Sequence, residues 1–302
     1  MTATPGPRYA PPPVLPAGAS RWRVARSAFL RRRGRIIGLV ILIGFVAMGV
    51  VGPYLYPRNL PVDPARIYAT PSLAYPLGTD FEGTSVLALI VTGARYVLLS
   101  AAVAGAVTMA IGVTIGLLAG YRAGLVDGVL SRLTDFVLTV PGIPLLIVLA
   151  TVWHFSSPFL VGLLLGATGW GGLARAIRSQ ILSLRERSFI EASRGLGLSP
   201  WHIGLREMLP NVSSYVAMHL LLAVVGAIYA ETGLFFLGIL PATVNNWGVM
   251  LNLAVFSAGA IGSPAALPYL LSPLVAIMLL TLGIVLVLDA VDELFNPRLR
   301  AA

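Results

Sequence analysis

Residues Arg185 to Asn211 read RERSFIEASRGLGLSPWHIGLREMLPN. This is the longest polar interruption in the second half of a chain made mostly of membrane-length apolar runs, and it carries six charged side chains besides Arg185. Such a segment belongs in water. Its punctuation predicts a helix, a tight turn and a second helix. Arg187, Glu191 and Arg194, spaced i, i+4, i+7, share one face, with Phe189, Ala192, Ser193 and Leu196 on the other. Gly195 and Gly197 can supply the left-handed backbone that ends a helix, Ser199 is a good N-cap, and Pro200 suits the first helical position after it. The second helix puts Trp201, Leu205 and Met208 on one side and is expected to stop before Pro210. Paired helices with caps are more order than a plain connector requires.

The 302 residues are 57% apolar and only 11% charged, with a mean hydropathy of +0.86. A soluble domain carries about a quarter charged residues, so the composition predicts a polytopic membrane protein. There is no cysteine, which excludes disulfides and thiolate metal sites. All basic residues are arginine, and most of the net charge of +9 lies beside membrane-length runs. That distribution points to membrane lipid as the partner of the charge and to no nucleic acid.

In chain order, residues 1–20 are Pro-rich and read as a disordered cytoplasmic tail. Residues 21–35 place seven arginines among Trp22, Val24, Phe29 and Leu30, a basic interfacial segment suited to anionic headgroups. Residues 36–94 hold a first transmembrane helix, Ile36 to Tyr56, and an extracytoplasmic loop; residues 95–299 form a five-helix core carrying the loop 185–211. The further spans are expected at 96–120, 127–153, 157–182, 212–239 and 267–288, with a second outer loop at 241–266.

Within the second span, Gly112, Gly116 and Gly120 form a small-residue stripe that predicts close helix packing. The third carries Pro141 and Pro144, expected to kink or unwind it, and Arg132 and Asp135 near its start. Those two could pair with each other or face a cavity. Glu231, a lone carboxylate in the fifth span, is either paired with a neighbouring helix or lines a path. Both termini are expected inside: fifteen arginines lie in 1–35, 121–126, 183–211 and 292–302, against Arg58, Arg66 and Arg95 in outer loops.

Glu191-Ala192-Ser193, then Gly197, then Met208-Leu209-Pro210 resembles the EAA loop of binding-protein-dependent ABC importer permeases, with Ser193 in place of the usual second alanine. Pro76-Leu77-Gly78-Thr79-Asp80, Gly93-Ala94-Arg95, Leu118-Ala119-Gly120-Tyr121, Arg132-Leu133-Thr134-Asp135, Phe236-Leu237-Gly238 after Glu231, Trp247-Gly248 and Asn296-Pro297-Arg298 extend the likeness. Together they resemble the second-subunit branch of the dipeptide, oligopeptide and nickel permease family. The family's acidic and arginine-bearing phrase is lost at Asp80-Phe81-Glu82-Gly83-Thr84-Ser85, and 252–272 has no match.

The resemblance implies an all-α polytopic membrane protein of six transmembrane helices with a cytoplasmic helix-turn-helix coupling loop, the transmembrane domain of a type I ABC importer in the bacterial plasma membrane. It also implies a second homologous permease subunit, two ATP-binding-cassette ATPase subunits and an extracytoplasmic substrate-binding protein as partners. Glu191, Ala192, Ser193, Gly197, Leu209 and Pro210 are then the residues of ATPase coupling. The chain itself offers no phosphate-binding loop and no lysine, no metal-ligand spacing among His154, His202 and His219, and no nucleophile–base pair. It is expected to be no enzyme and to hold no cofactor. The expected cargo is a peptide, with nickel or another small solute as the alternative. A proton-coupled carrier using Glu231 and Asp135 is the reading from a different class, and a membrane receptor that binds without transporting is a third.

Overall fold

A computed structural model describes residues 33–56, 60–122, 124–153, 155 and 157–295, side chains at 289 and 292–295 excepted. The Pro-rich tail, the arginines before Arg33, Arg58, His154 and Asn296-Pro297-Arg298 lie outside the described residues. Among the described residues the regular secondary structure is helical apart from one isolated bridge between Thr79 and Ser85. Four helices are long and apolar enough to cross a membrane: Arg33–Leu55, Val86–Tyr121, Ser213–Phe236 and Pro264–Leu288. Two bent helix pairs bring the spans to six.

The organising element is the second helix. α1 is Arg33–Leu55 and α2 is Val86–Tyr121, 36 residues without a break, about 54 Å long at 1.5 Å per residue. It begins ten residues before the expected 96, because Ser85 caps it by accepting from the Ala88 amide and the next turns are buried. The boundary expected at 94/95 therefore falls inside a helix.

Glycine decides how close the neighbours come. A Cβ at Gly116 would lie 2.6 Å from the Ala174 carbonyl oxygen, and one at Gly120 would lie 2.7 Å from Ile181 Cβ. The partner helix answers in kind: a Cβ at Gly162 or Gly166 would stand 2.5 or 2.8 Å from the Ser100 or Ala104 carbonyl oxygen of α2. The stripe at Gly112, Gly116 and Gly120 is thus a packing device. It meets α6 (Gly171–Arg185), while α5 (Pro158–Gly169) meets α2 one stretch earlier. The 46° bend between α5 and α6 lets the pair follow α2. No proline marks that bend; it falls where Gly169 and Gly171 flank Trp170.

Between these lie α3 (Leu125–Thr139) and α4 (Gly142–Val152), bent by 83°. Val140, preceding Pro141, is extended at ψ 126°, as a residue before proline prefers. Pro144 sits in the first turn of α4, where a missing N–H costs no helical bond. Toward the C-terminus, α10 (Ser213–Phe236) runs unbroken through Gly226. Its end is closed by Gly238 in the left-handed region at φ 71°. The 241–266 stretch is more than a loop: α11 (Trp247–Asn252) is buried and continues as a π-helical turn, Leu253–Ser257. α12 (Leu267–Phe295) closes the bundle against α1, where a Cβ at Gly38 would come within 2.6 Å of Leu286.

Candidate functional site

The loop with which the sequence analysis began folds as a unit on the C-terminal end of α2. α7 is Ser188–Gly195. It ends in two bonds, from the Gly197 amide to the Arg194 carbonyl at 3.0 Å and from the Leu198 amide to the Ser193 carbonyl at 3.2 Å. Gly197 carries the left-handed φ of 74° that this Schellman closure requires. Gly195 remains helical. Ser199 then caps α8 (Pro200–His202), accepting from the His202 amide at 3.2 Å.

The second helix departs from the expected form. α8 passes into a π-helical stretch, Ile203–Met208, and on into α9 (Leu209–Asn211), so Pro210 is helical rather than beyond the helix. The wider π turn changes the register. Met208 and Ile203 are buried, whereas Trp201 and Leu205, expected on the same side as Met208, are 60% and 48% exposed.

What anchors the unit is Ile190, which the helical pattern did not single out. It is fully buried with Ile203, Met208, Leu117, Ile177 and Ile181 in one apolar cluster. Phe189 and Leu196, expected to face inward, are exposed, Leu196 at 79%. The two short helices are also tied together by a polar bond: the Ser193 hydroxyl lies 2.7 Å from a Glu207 carboxylate oxygen. The side chain that departs from the EAA pattern is therefore the one that links α7 to the helix after the turn. Glu191 and Ala192 are exposed, Leu209 is half-buried and Pro210 exposed. Among the described residues the Glu191 carboxylate has no bonded partner, nothing stands within 4 Å of a Cβ built at Gly197, and Leu196 and Trp201 are exposed.

Arg132 and Asp135 do not pair with each other. Asp135 accepts from Arg175 of α6 at 2.5 Å, and Arg132 is exposed. One turn along, Arg178 holds Asp127 through two bonds. These arginines fasten α3 to α6 near the loop.

Glu231 lies elsewhere. It is fully buried, with Ser100 of α2 against one carboxylate oxygen and the Asn246 amide donating to the other at 2.6 Å. Asn246 also caps α11, its side-chain oxygen accepting from the Gly248 amide at 2.7 Å. Trp247 completes the corner by donating from its indole to the Ile90 carbonyl at 3.0 Å. Of the two alternatives for Glu231, this is pairing with neighbouring helices, through uncharged donors. The Asn-Asn-Trp-Gly sequence was the signal for its partner. Ser100 and the α2 residues beside Asp135, Ile115 to Ala119, are at least fifteen positions apart, about 22 Å along the helix, so the two acids are not neighbours. Among the described residues no group of three or more His, Asp or Glu could hold a metal ion.

Residues 112–301 match the model of the binding-protein-dependent transport system inner membrane component, and residues 20–71 match the N-terminal transmembrane domain of oligopeptide transport permease C. A Brucella suis biovar 1 protein, named provisionally as a peptide permease, is 34% identical over 93% of both chains. The oligopeptide transport system permease protein OppC of Escherichia coli K12 is 33% identical over 78% of this chain and 79% of its own. The dipeptide transport system permease protein DppC of Bacillus subtilis 168 is 30% identical over 71% and 68%. With the broken spans, the glycine-locked α2 and the folded loop, these likenesses show that the chain belongs to the binding-protein-dependent inner membrane permeases, in the branch that holds oligopeptide permease C and dipeptide permease C.

Proposed function

We propose that the chain is one of two homologous permease subunits that together form the translocation pathway of an ATP-driven peptide importer. ATP hydrolysis takes place on two separate ATPase subunits, and an extracytoplasmic binding protein delivers the cargo. Peptides are the cargo that the names of the relatives favour. The loop and both termini face the cytoplasm, in keeping with the distribution of arginine.

The observation that carries the reading is the loop's construction. A lever must be stiff where it joins the bundle and complementary where it meets its driver. Ile190, Ile203 and Met208 supply the first by burying themselves against α2 and α6. Glu191, Leu196, Gly197 and Trp201 supply the second by remaining exposed. ATPase closure then moves the unit as a rigid body, and the bends at Pro141 and Trp170 are where the spans change angle.

The test is affinity purification from native membranes in mild detergent, comparing the native chain with Glu191→Arg. Recovery of an ATPase pair with the native protein and its loss with the variant is the expected result. Recovery of the native chain without any ATPase subunit would overturn the reading.

A further inference from the structure

Four helices leave an apolar groove of about 540 Å³ on the side of the bundle, walled by Leu42, Val46, Ala102, Val224 and Ile284. Its residues come from α1, α2, α10 and α12. Two polar side chains stand in it, Arg95 of α2 and Tyr54 at the end of α1. Arg95 is exposed and has no hydrogen-bond or ion-pair partner among the described residues. An unpaired guanidinium beside a hydrocarbon-filled groove is costly unless an anion meets it.

The dimensions select the occupant. Leu42 and Tyr54 both line the groove, twelve positions apart on α1, which is about 18 Å of helix. One leaflet of hydrocarbon is about 15 Å deep, half of the ~30 Å core. The groove therefore runs the depth of one leaflet, with its polar end at the level where a tyrosine sits in the interfacial belt. A Cβ at Gly49 would approach Arg95 Cα at 3.5 Å, so Arg95 stands level with Gly49, five residues below Tyr54. Five residues of helix are about 7.5 Å, within the reach of an arginine side chain that snorkels toward the interface.

We propose that this groove binds an anionic membrane phospholipid, in the leaflet on the side away from the Arg185–Asn211 loop. One acyl chain lies along α1 between α2 and α12, and the phosphate sits on Arg95 with the Tyr54 hydroxyl beside it. The walls carry no donor or acceptor for a peptide backbone, and the single charge stands at the end where a headgroup belongs.

The experiment takes the chain, with the subunits that accompany it, into nanodiscs of phosphatidylglycerol mixed equally with phosphatidylcholine. Lipid retained after detergent extraction is counted by native mass spectrometry. The native protein is expected to retain phosphatidylglycerol about fivefold over phosphatidylcholine, the factor that one arginine at an anionic surface contributes. Arg95→Gln should bring the ratio to one and Arg95→Lys should keep most of it. Ala102→Phe, a substitution on an exposed wall position, should lower retention of both lipids. Equal retention of the two lipids by the native protein would overturn the proposal without recourse to any variant. So would an Ala102→Cys probe, the sole thiol of a chain that has no cysteine, that cross-links to protein and not to a thiol-reactive phospholipid.

Discussion

Arg178 reaches across 51 residues of chain to grip both carboxylate oxygens of Asp127, at 2.6 and 2.8 Å. The pair is about two-thirds to four-fifths shielded from solvent, and it fixes the first half of a broken span to α6. Two parallel bonds to one carboxylate are the strong form of this contact. Arg178→Ala is expected to cost about 1–2 kcal/mol, less than a fully buried pair because solvent still screens it. Thermal unfolding in detergent, run as a cycle with Asp127→Ala, measures the coupling. Additive losses would mean that the two side chains do not hold the helices together.

The glycine contacts predict opposite outcomes at two helical positions. Gly116→Ala places a methyl 2.6 Å from the Ala174 carbonyl oxygen, forcing α2 from α6 at about 1–3 kcal/mol. Gly128→Ala meets nothing within 4 Å and should stabilise α3 by up to about 1 kcal/mol. Apparent melting temperatures of the two variants, side by side, check the sign at each.

At the loop, Met208→Ala should destabilise the chain by about 2–4 kcal/mol, because it opens a cavity in the cluster under Ile190. Trp201→Ala should leave the stability within about 0.5 kcal/mol of native yet reduce recovery of the ATPase subunits. Melting and co-purification measured on the same preparations separate the anchor from the contact surface.

The turn is expected to discriminate between its glycines. Gly197, at φ 74°, has open space around it, so Gly197→Ala is a backbone penalty of about 1 kcal/mol and Gly197→Val a larger one. Gly195→Ala, in ordinary helical backbone, should be neutral or better. Ser193→Ala removes the bond to Glu207 at about 1 kcal/mol and should raise proteolysis between Gly195 and Ser199.

Asp80 lies buried in the 60–85 segment, and burial pushes its carboxyl above the usual range, against the pull of the Thr84 and Glu82 amides that its side chain accepts. A carboxyl raised on folding binds its proton more tightly in the native state. Its stabilising contribution is thus full below the unfolded value and fades as pH climbs through the folded one. Asp80→Asn keeps the accepting oxygen and removes the titration. The native protein should lose melting temperature relative to this variant as pH rises from about 4, and parallel profiles would show that the burial has no such consequence.

The broken third span could be read in advance, since Pro141 and Pro144 leave the backbone few choices, and so could the close packing of Gly112, Gly116 and Gly120. The bend at Trp170 could not: it has no proline, and its cause is the need of α5 and α6 to stay against a long α2. In the loop, Gly197 and Ser199 announced the turn because each has a local job. Ile190 and the displaced Trp201 were hidden, since the face that a two-turn helix buries depends on what lies beneath it, and a π turn follows no 3.6-residue period. Asn246 lies in the stretch expected as an outer loop, and its bond to Glu231 joins residues fifteen apart across a bend.

α2 has no proline and no break between Val86 and Tyr121, while the bent pairs α3–α4 and α5–α6 stand beside it. A straight rod of about 54 Å converts angle into distance: each degree of tilt about one end displaces the other by about 1 Å. A swing of ten degrees where Gly116 and Gly120 grip α6 would therefore carry Ile90, and the indole bonded to it, by about 7 Å. Modest rotation at the loop is thus enough to displace the opposite end by several ångströms.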